Sequence, residues 1–323
     1  MCSPSIRCLG RGQYQPFYIG ETLKSNVSFN IYMLRNILED AQPTETGDQP
    51  DDPQSEKDPY WVDALAQGLA VLKAFDADRP VLTLSQIATE LGWSRTKPFR
   101  FAHTLEKLGY LARTESGRAF RLTSLSMQLG FAYLSQLPLV EMAQPILDRL
   151  RTEVGASVHL ALLEGNELVY VAQSRIQLPT AINIHVGSRL PAYATSIGRV
   201  LLAYKSDAER DAILGTGPLS VWTQKSTVDP EVLRSNLNIA RERGYVFNDE
   251  EFHVGVRSVA AAIFDAKGNA FAGVNATAST HVFNDERIQS EIVPAVLRAA
   301  DELSRSLSHF TSRSTPLDLP TKL

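Results

Sequence analysis

The chain has 323 residues, 44% of them hydrophobic, enough for two domains that each bury an apolar core. Its two cysteines, Cys2 and Cys8, exclude a disulfide-stapled core and argue against a Cys/His metal site or other cofactor; they fit a reducing compartment, the cytoplasm. The formal charge is −4, so any nucleic-acid contact has to come from a local patch and not from the chain as a whole.

Residues 1–58 carry five basic and nine acidic side chains. Within them, EDAQPTETGDQPDDPQSEKD at 39–58 is acidic, proline-rich and almost free of large apolar residues, so it buries too little to offset its ordering entropy and is predicted to be a disordered tail. No apolar stretch follows Arg7 and Arg11, so no signal peptide is expected, and Met33 is a second candidate start. The longest apolar run, Val259–Phe264, is too short to span a bilayer.

Order is predicted from Trp61. Val62, Leu65, Leu69 and Leu72, with Ala66 and Phe75, form one apolar stripe on a helix that Pro80 ends. Leu84, Ile87, Ala88 and Leu91 mark a second helix closed by Gly92. A third holds Phe101, Leu105 and Leu108 and stops at Gly109; Thr96 as its N-cap places Pro98 in the first turn, where a missing N–H matters least. Strands at Tyr110–Arg113 and Phe120–Leu122 flank the turn Thr114-Glu115-Ser116-Gly117. Helices followed by a basic hairpin make residues 60–122 a winged helix-turn-helix.

That segment is also the part with a positive excess, nine basic against six acidic residues, whereas 123–323 carries eighteen against twenty-one. Arg95, Thr96, Lys97, Arg100 and His103 crowd the start of the third helix, the end that reaches base edges in a major groove. Arg118 and Arg121 on the hairpin suit phosphates or the minor groove. The expected partner is double-stranded operator DNA; a solvated basic helix in a protein-binding winged helix is the alternative.

Leu125, Leu129, Ala132 and Tyr133 predict a linker helix over 123–137, closed by Pro138. From 138 to 310 the pattern mixes helices with hairpins. Helices are expected at Leu139–Leu150, Ser196–Tyr204, Pro230–Arg243 and Glu286–Leu307. Strands are expected at Val158–Leu163 and Leu168–Ala172 around Glu164-Gly165-Asn166, at Ala181–Val186, and at Val256–Asp265 and Ala270–Thr277 around Ala266-Lys267-Gly268-Asn269. The fold class is therefore multidomain α+β with an antiparallel sheet in the C-terminal domain, ending in a flexible tail at 311–323.

In that domain Asn275 and Thr277 share one strand face with Phe271 and Gly273, and Ser258 on the preceding strand suits the same space. Ser196-Ile197-Gly198 opens a helix whose free N–H groups can hold a carboxylate. Glu250, Glu251 and His253 raise a second possibility, a metal-dependent hydrolase, although the chain has no HExxH and no Gly-x-Ser-x-Gly.

Two stretches, GSRLPAYATSIGRVLLA at 187–203 and GYVFNDEEFHVGVRSVAAAIFD at 244–265, resemble the IclR-type bacterial transcription regulators, and the resemblance extends over 61–310. It implies a non-enzymatic, GAF-like effector domain, a homodimer or homotetramer, and DNA binding switched by a small organic acid. The family's ligand contacts match Ser196, Ile197, Asn248, Ser258, Asn275 and Thr277. RLPAYATSIGRVLLA is most similar to the subgroup that regulates aromatic-acid catabolism (protocatechuate, 4-hydroxybenzoate and β-ketoadipate regulators), with Tyr193 and Phe271 placed to stack on a ring. Asn275 is bulkier than the serine of some relatives, and Pro98, Phe99 and Phe101 depart from the family, so the operator sequence does not carry over.

Overall fold

A computed structural model describes residues 60–76, 78–176, 184–215 and 219–311. The tail at 1–58, residues 181–183 of one expected strand, and 312–323 lie outside these. The chain divides into two compact units between Gln128 and Leu129. No described helix is long and apolar enough to cross a membrane.

The first unit contains α1 (Asp63–Lys73), β1 (Val81–Thr83), α2 (Leu84–Glu90), α3 (Lys97–Lys107), β2 (Leu111–Arg113) and β3 (Ala119–Leu122). The strands form an antiparallel sheet in the order β1-β3-β2, with Leu82 opposite Phe120 and Arg113 opposite the same residue on the other side. β1, a three-residue strand before a helix, carries no alternation to announce it. Its last residue, Thr83, opens α2 through a capping box: Thr83 Oγ1 accepts from Gln86 N–H, and the Gln86 side chain accepts from Thr83 N–H. Val71, Phe75, Leu82, Ile87, Ala102, Leu105, Leu111 and Phe120 form the core.

Two expectations change here. The α1 stripe is divided: Val62, Leu65 and Leu69 are 59%, 64% and 45% exposed, while Leu72 and Phe75 pack on the core together with Val71 and Ala74. Two faces of this helix are apolar, and only one has a partner within the unit. Thr96 does flank α3, with Pro98 in the first turn, but it has helical dihedrals and its side chain makes no capping bond. With its backbone already turned into the helix, its hydroxyl does not reach back to the first free N–H groups.

Helix α4 (Ser126–Leu134) follows, with no residue buried and Met127, Leu129 and Phe131 well exposed.

The second unit is built on a six-stranded antiparallel sheet in the order β6-β5-β4-β9-β8-β7. The strands are β4 (Ser157–Glu164), β5 (Glu167–Ser174), β6 (Arg189–Pro191), β7 (Tyr245–Asp249), β8 (Val256–Phe264) and β9 (Ala270–Ser279). Gly165 and Asn166 form the two-residue turn of the β4–β5 hairpin, Gly165 taking the positive φ of 59° that this turn favours. α5 (Pro138–Val154) packs on one sheet face with the C-terminal helix. There Val158, Leu160, Val259, Ala261, Val274 and Ala276 are buried.

The C-terminal helix starts at Asp285 and is continuous but not uniform. α9 (Asp285–Arg287) widens into a π turn at Ile288–Ile292 before α10 (Val293–Thr311). Pro294 lacks an N–H and its ring crowds the carbonyl four residues back, which accounts for the wider turn. The strand expected at Ala181–Val186 is absent from residues 184–186; the pairing is made instead by β6, opposite Glu167–Val169.

The other sheet face carries α6 (Ser196–Ala203), every residue of which is buried. α7 (Asp207–Leu214) and α8 (Pro230–Arg243) follow it. A Cβ at Gly273 of β9 would stand 2.5 Å from Ile197 Cγ2, and one at Gly198 would stand 2.1 Å from the Ala192 carbonyl oxygen. The start of α6 therefore lies against the sheet and against the short 3-10 turn Ala192–Ala194 before it.

Candidate functional site

Two clusters of polar side chains stand out, one in each unit. In the first, α3 buries Pro98, Ala102 and Leu105 and exposes Arg100 and His103, and Arg95 and Thr96 are exposed just before it. Arg118 and Arg121 are exposed on the hairpin. Two expected residues are engaged locally. The Lys97 ammonium lies over the Trp93 ring, 4.6 Å from its centre, and the His103 ring stacks on Phe99 at 6.0 Å. Arg113 is bound to Glu106 at 2.9 Å and to the Gly117 carbonyl at 3.1 Å, bracing the hairpin against the back of α3. Arg95, Arg100, Arg118 and Arg121 make no ion pair among the described residues. Such free guanidiniums can pair with phosphates or with guanine edges at no cost in broken internal bonds.

The second cluster lies between the start of α6 and strands β4, β8 and β9. Ser258 Oγ donates to Ser196 Oγ at 2.9 Å, and the Asn275 amide donates to the same oxygen at 3.3 Å. The Asn275 oxygen lies 3.0 Å from His159 Nδ1, directly across the β4–β9 ladder. Thr277 is paired with Ser258 across β8–β9, and its Oγ1 is buried without a hydrogen-bond partner among the described residues. Ile197 contributes its methyl groups against Gly273. At the helix start Thr195 Oγ1 caps Gly198 N–H, while the N–H groups of Ser196 and Ile197 have no acceptor within the helix. The arrangement offers hydroxyl and backbone donors converging on one buried spot, suited to a carboxylate.

Three residues expected in this site are placed elsewhere. Asn248 faces Ser258 across β7–β8, but its amide donates to the Ala194 carbonyl at 3.0 Å and its oxygen accepts from Glu251 N–H at 3.2 Å. It fixes the turn leading into α6. The Tyr193 hydroxyl donates to the Ser220 carbonyl and accepts from the Trp222 indole at 3.0 Å, so its polar end joins a Trp222–Phe252 aromatic pair and not the serine cluster. Phe271 sits at the bulge opposite Ile263 and Phe264 and packs against the α5–α10 core. The bulge breaks the alternation that would put it on the Asn275 face.

Burial governs the protonation of this unit. His159 is fully buried and its pKa is pushed down to about 4, against the Asn275 bond, which favours the charged form. Tyr170, beside it with ring centres 5.8 Å apart and edge to face, is pushed above its ordinary range by the same burial. Glu251 is a contrasting case. Burial alone would raise it, but the Arg199 guanidinium and Thr227 N–H hold it low. Arg199 grips it with two bonds, 2.6 and 2.7 Å, and donates a third to the Tyr193 carbonyl.

Residue types alone hid this ion pair, the role of Trp222 and the place of His159. His159 joins Asn275 only through strand register, 116 positions away. The suggested metal site does not form. Glu250 is bound to Lys225 and to Gly255 N–H, Glu251 is held by Arg199, and His253 is half-buried with its ring turned to the Val254 carbonyl. Among the described residues no group of three or more His, Cys, Asp or Glu stands close enough to hold a metal ion. The surface hollow beside Asp148–Glu153 on α5, about 440 Å³, lies on the opposite side of the sheet from the serine cluster.

Comparison with known proteins agrees with this architecture. The model of the IclR helix-turn-helix domain matches residues 64–115, and that of the bacterial transcriptional regulator IclR C-terminal domain matches 131–305. The Pca regulon regulatory protein of Pseudomonas putida is 38% identical over 77% of this chain and 86% of its own length. The p-hydroxybenzoate hydroxylase transcriptional activator of Acinetobacter baylyi is 30% identical over 75% and 91%. The crystal structure of an IclR homolog complexed with 4-hydroxybenzoate, from Microbacterium hydrocarbonoxydans, superposes with a TM-score of 0.66 at 26% identity, covering 76% of this chain and 99% of that one. The chain belongs to the IclR family of bacterial transcriptional regulators.

Proposed function

We propose that this regulator binds operator DNA through α3 and the β2–β3 hairpin and is switched by a small aromatic acid held at the start of α6. Arg95, Thr96, Arg100 and His103 would enter the major groove, with Arg118 and Arg121 on phosphates. Lys97 joins them once it leaves the Trp93 ring. Ser196, Ile197, Ser258, Asn275 and Thr277 would contact the effector, with Asn248 and Tyr193 holding the adjoining turn. The observation that carries the reading is the convergence of Ser196, Ser258 and Asn275 on one buried oxygen at a helix N-terminus, in a chain that also has a basic winged helix. Two similar proteins, one solved with 4-hydroxybenzoate and one named for the hydroxylase of that compound, support an aromatic effector.

The protein would act in the cytoplasm as a homodimer or homotetramer and not as an enzyme. The outward apolar stripe of α1 and the exposed Met127, Leu129 and Phe131 of α4 support self-association, since each row is apolar and unpartnered within its own unit. Thermal-shift screening of aromatic and small aliphatic acids tests the effector reading, because a ligand of the folded state raises Tm. Electrophoretic mobility shift on the chain's own promoter, with and without the best acid, tests the switch. Equal retention with and without it, or no retarded complex, refutes the proposal.

A further inference from the structure

The cluster at α6 contains one buried acceptor that nothing among the described residues satisfies. Its protons can be placed from its own bonds. The Asn275 NH2 faces Ser196 Oγ, so its oxygen faces His159 Nδ1. That oxygen can only accept, so Nδ1 carries the ring proton and Nε2 is a bare lone pair. Nε2 is enclosed and has no partner among the described residues. The lowered pKa keeps the ring neutral at physiological pH, so Nε2 stays an acceptor. A buried acceptor left unpaired has lost its water without a replacement bond, which makes it a place to look for a ligand.

The other end of the cluster has the opposite need. Ser196 Oγ accepts from both Ser258 and Asn275, which leaves its own O–H to donate. Thr277 Oγ1 is buried and also free to donate. His159 and Thr277 are diagonal neighbours on the β4–β9 ladder, where His159 pairs with Asn275 and Ser157 with Thr277. The backbones at such positions stand about 7–8 Å apart, within reach of aromatic-sized groups, so the acceptor of His159 and the donor of Thr277 belong to two ends of one strand-face patch.

We propose that His159 Nε2 accepts a hydrogen bond from a hydroxyl that the effector carries opposite its carboxylate, and so selects a hydroxylated aromatic acid over the parent acid. The inference rests on the start of α6 being the acid site. Tyr170, edge-on to the imidazole, would hold the ring plane for this contact.

Calorimetric titration of the full chain with 4-hydroxybenzoate and with benzoate tests it. The wild type should bind 4-hydroxybenzoate about tenfold more tightly or better, the worth of one hydrogen bond to a buried group. His159→Asn keeps a donor for Asn275 and removes Nε2, so the preference should fall close to one while benzoate affinity holds. His159→Gln, whose amide oxygen reaches toward the Nε2 position, should restore part of the preference. ¹⁵N NMR of the wild type needs no variant: the Nε2 resonance should move with 4-hydroxybenzoate and stay put with benzoate. Equal binding of the two acids by the wild type, an unchanged preference in the Asn variant, or a silent Nε2 resonance overturns the role of His159 and leaves the acid site standing. If neither acid binds, the acid-site reading itself fails, and this inference with it.

Discussion

α3 and α6 are both short helices of eight to eleven residues whose first turn is rich in polar groups, yet they use them in opposite ways. At α3 the guanidiniums of Arg95, just before the helix, and Arg100, in its first turn, are exposed and have no ion-pair partner among the described residues. On α6 every polar group is buried, and Ser196 and Arg199 are tied to β8, β9 and Glu251. Exposed charge is ready for a polyanion and can be removed with little effect on the fold. Buried polarity is structural until a ligand replaces its internal bonds. Substitutions in α3 should therefore change binding alone, whereas those around α6 should change stability and sensing together.

Arg199→Ala gives the largest expected effect. It leaves the Glu251 carboxylate buried without its guanidinium, which costs about 3–5 kcal/mol and lowers the Tm of the effector unit in calorimetry. A variant as stable as the wild type would mean that the α6 bonds are dispensable and erase the contrast with α3. His159 supplies the next effect. Its folded pKa, about 4, lies below its ordinary value of 6.5, so the unfolded chain takes up the proton first as pH falls. The stabilisation is complete above about pH 6.5 and is lost as pH drops toward 4, at up to about 1.4 kcal/mol per unit. Denaturant titrations across that window should show a steeper loss for the wild type than for His159→Asn; parallel curves would contradict the buried neutral ring.

On the other helix, Arg100→Ala should weaken operator binding by about 1–3 kcal/mol and reduce the salt slope by about one, with Tm unchanged. A fall in Tm there would show that α3 depends on its charges as α6 does. The smallest effect on folding belongs to Leu65→Lys on the outward stripe of α1. It should leave monomer stability within about 0.5 kcal/mol and yet shift sedimentation toward the monomer. An unchanged oligomer would remove α1 from the interface.

The contrast also governs what could be read from the chain. α3 announces itself because Pro98, Gly109 and the clustered arginines are local signals, and so does the Gly165-Asn166 turn. β1 and β6 have three residues each and no period to detect. The apolar period of α1 identified the helix and left open which of its residues pack on the core, because periodicity marks an apolar side without saying what covers it. At α6, Ser196, Ser258 and Asn275 were reachable through resemblance, but His159 was not. Its place depends on which strands pair and in what register, information that no single segment contains.

The close seating of Ile197 on Gly273 has an evolutionary consequence. The two positions share one volume, since a Cβ on residue 273 would fall within 2.5 Å of the isoleucine methyl. A chain that gains bulk at 273 must give up bulk at 197 or lift the front of α6 away from the sheet. Because Ile197 stands beside Ser196, that exchange would change the space beside the polar cluster without altering any hydrogen-bonding residue. Homologues with the same polar cluster can thus differ in the room beside it by trading methyl groups between these two positions, 76 residues apart in sequence.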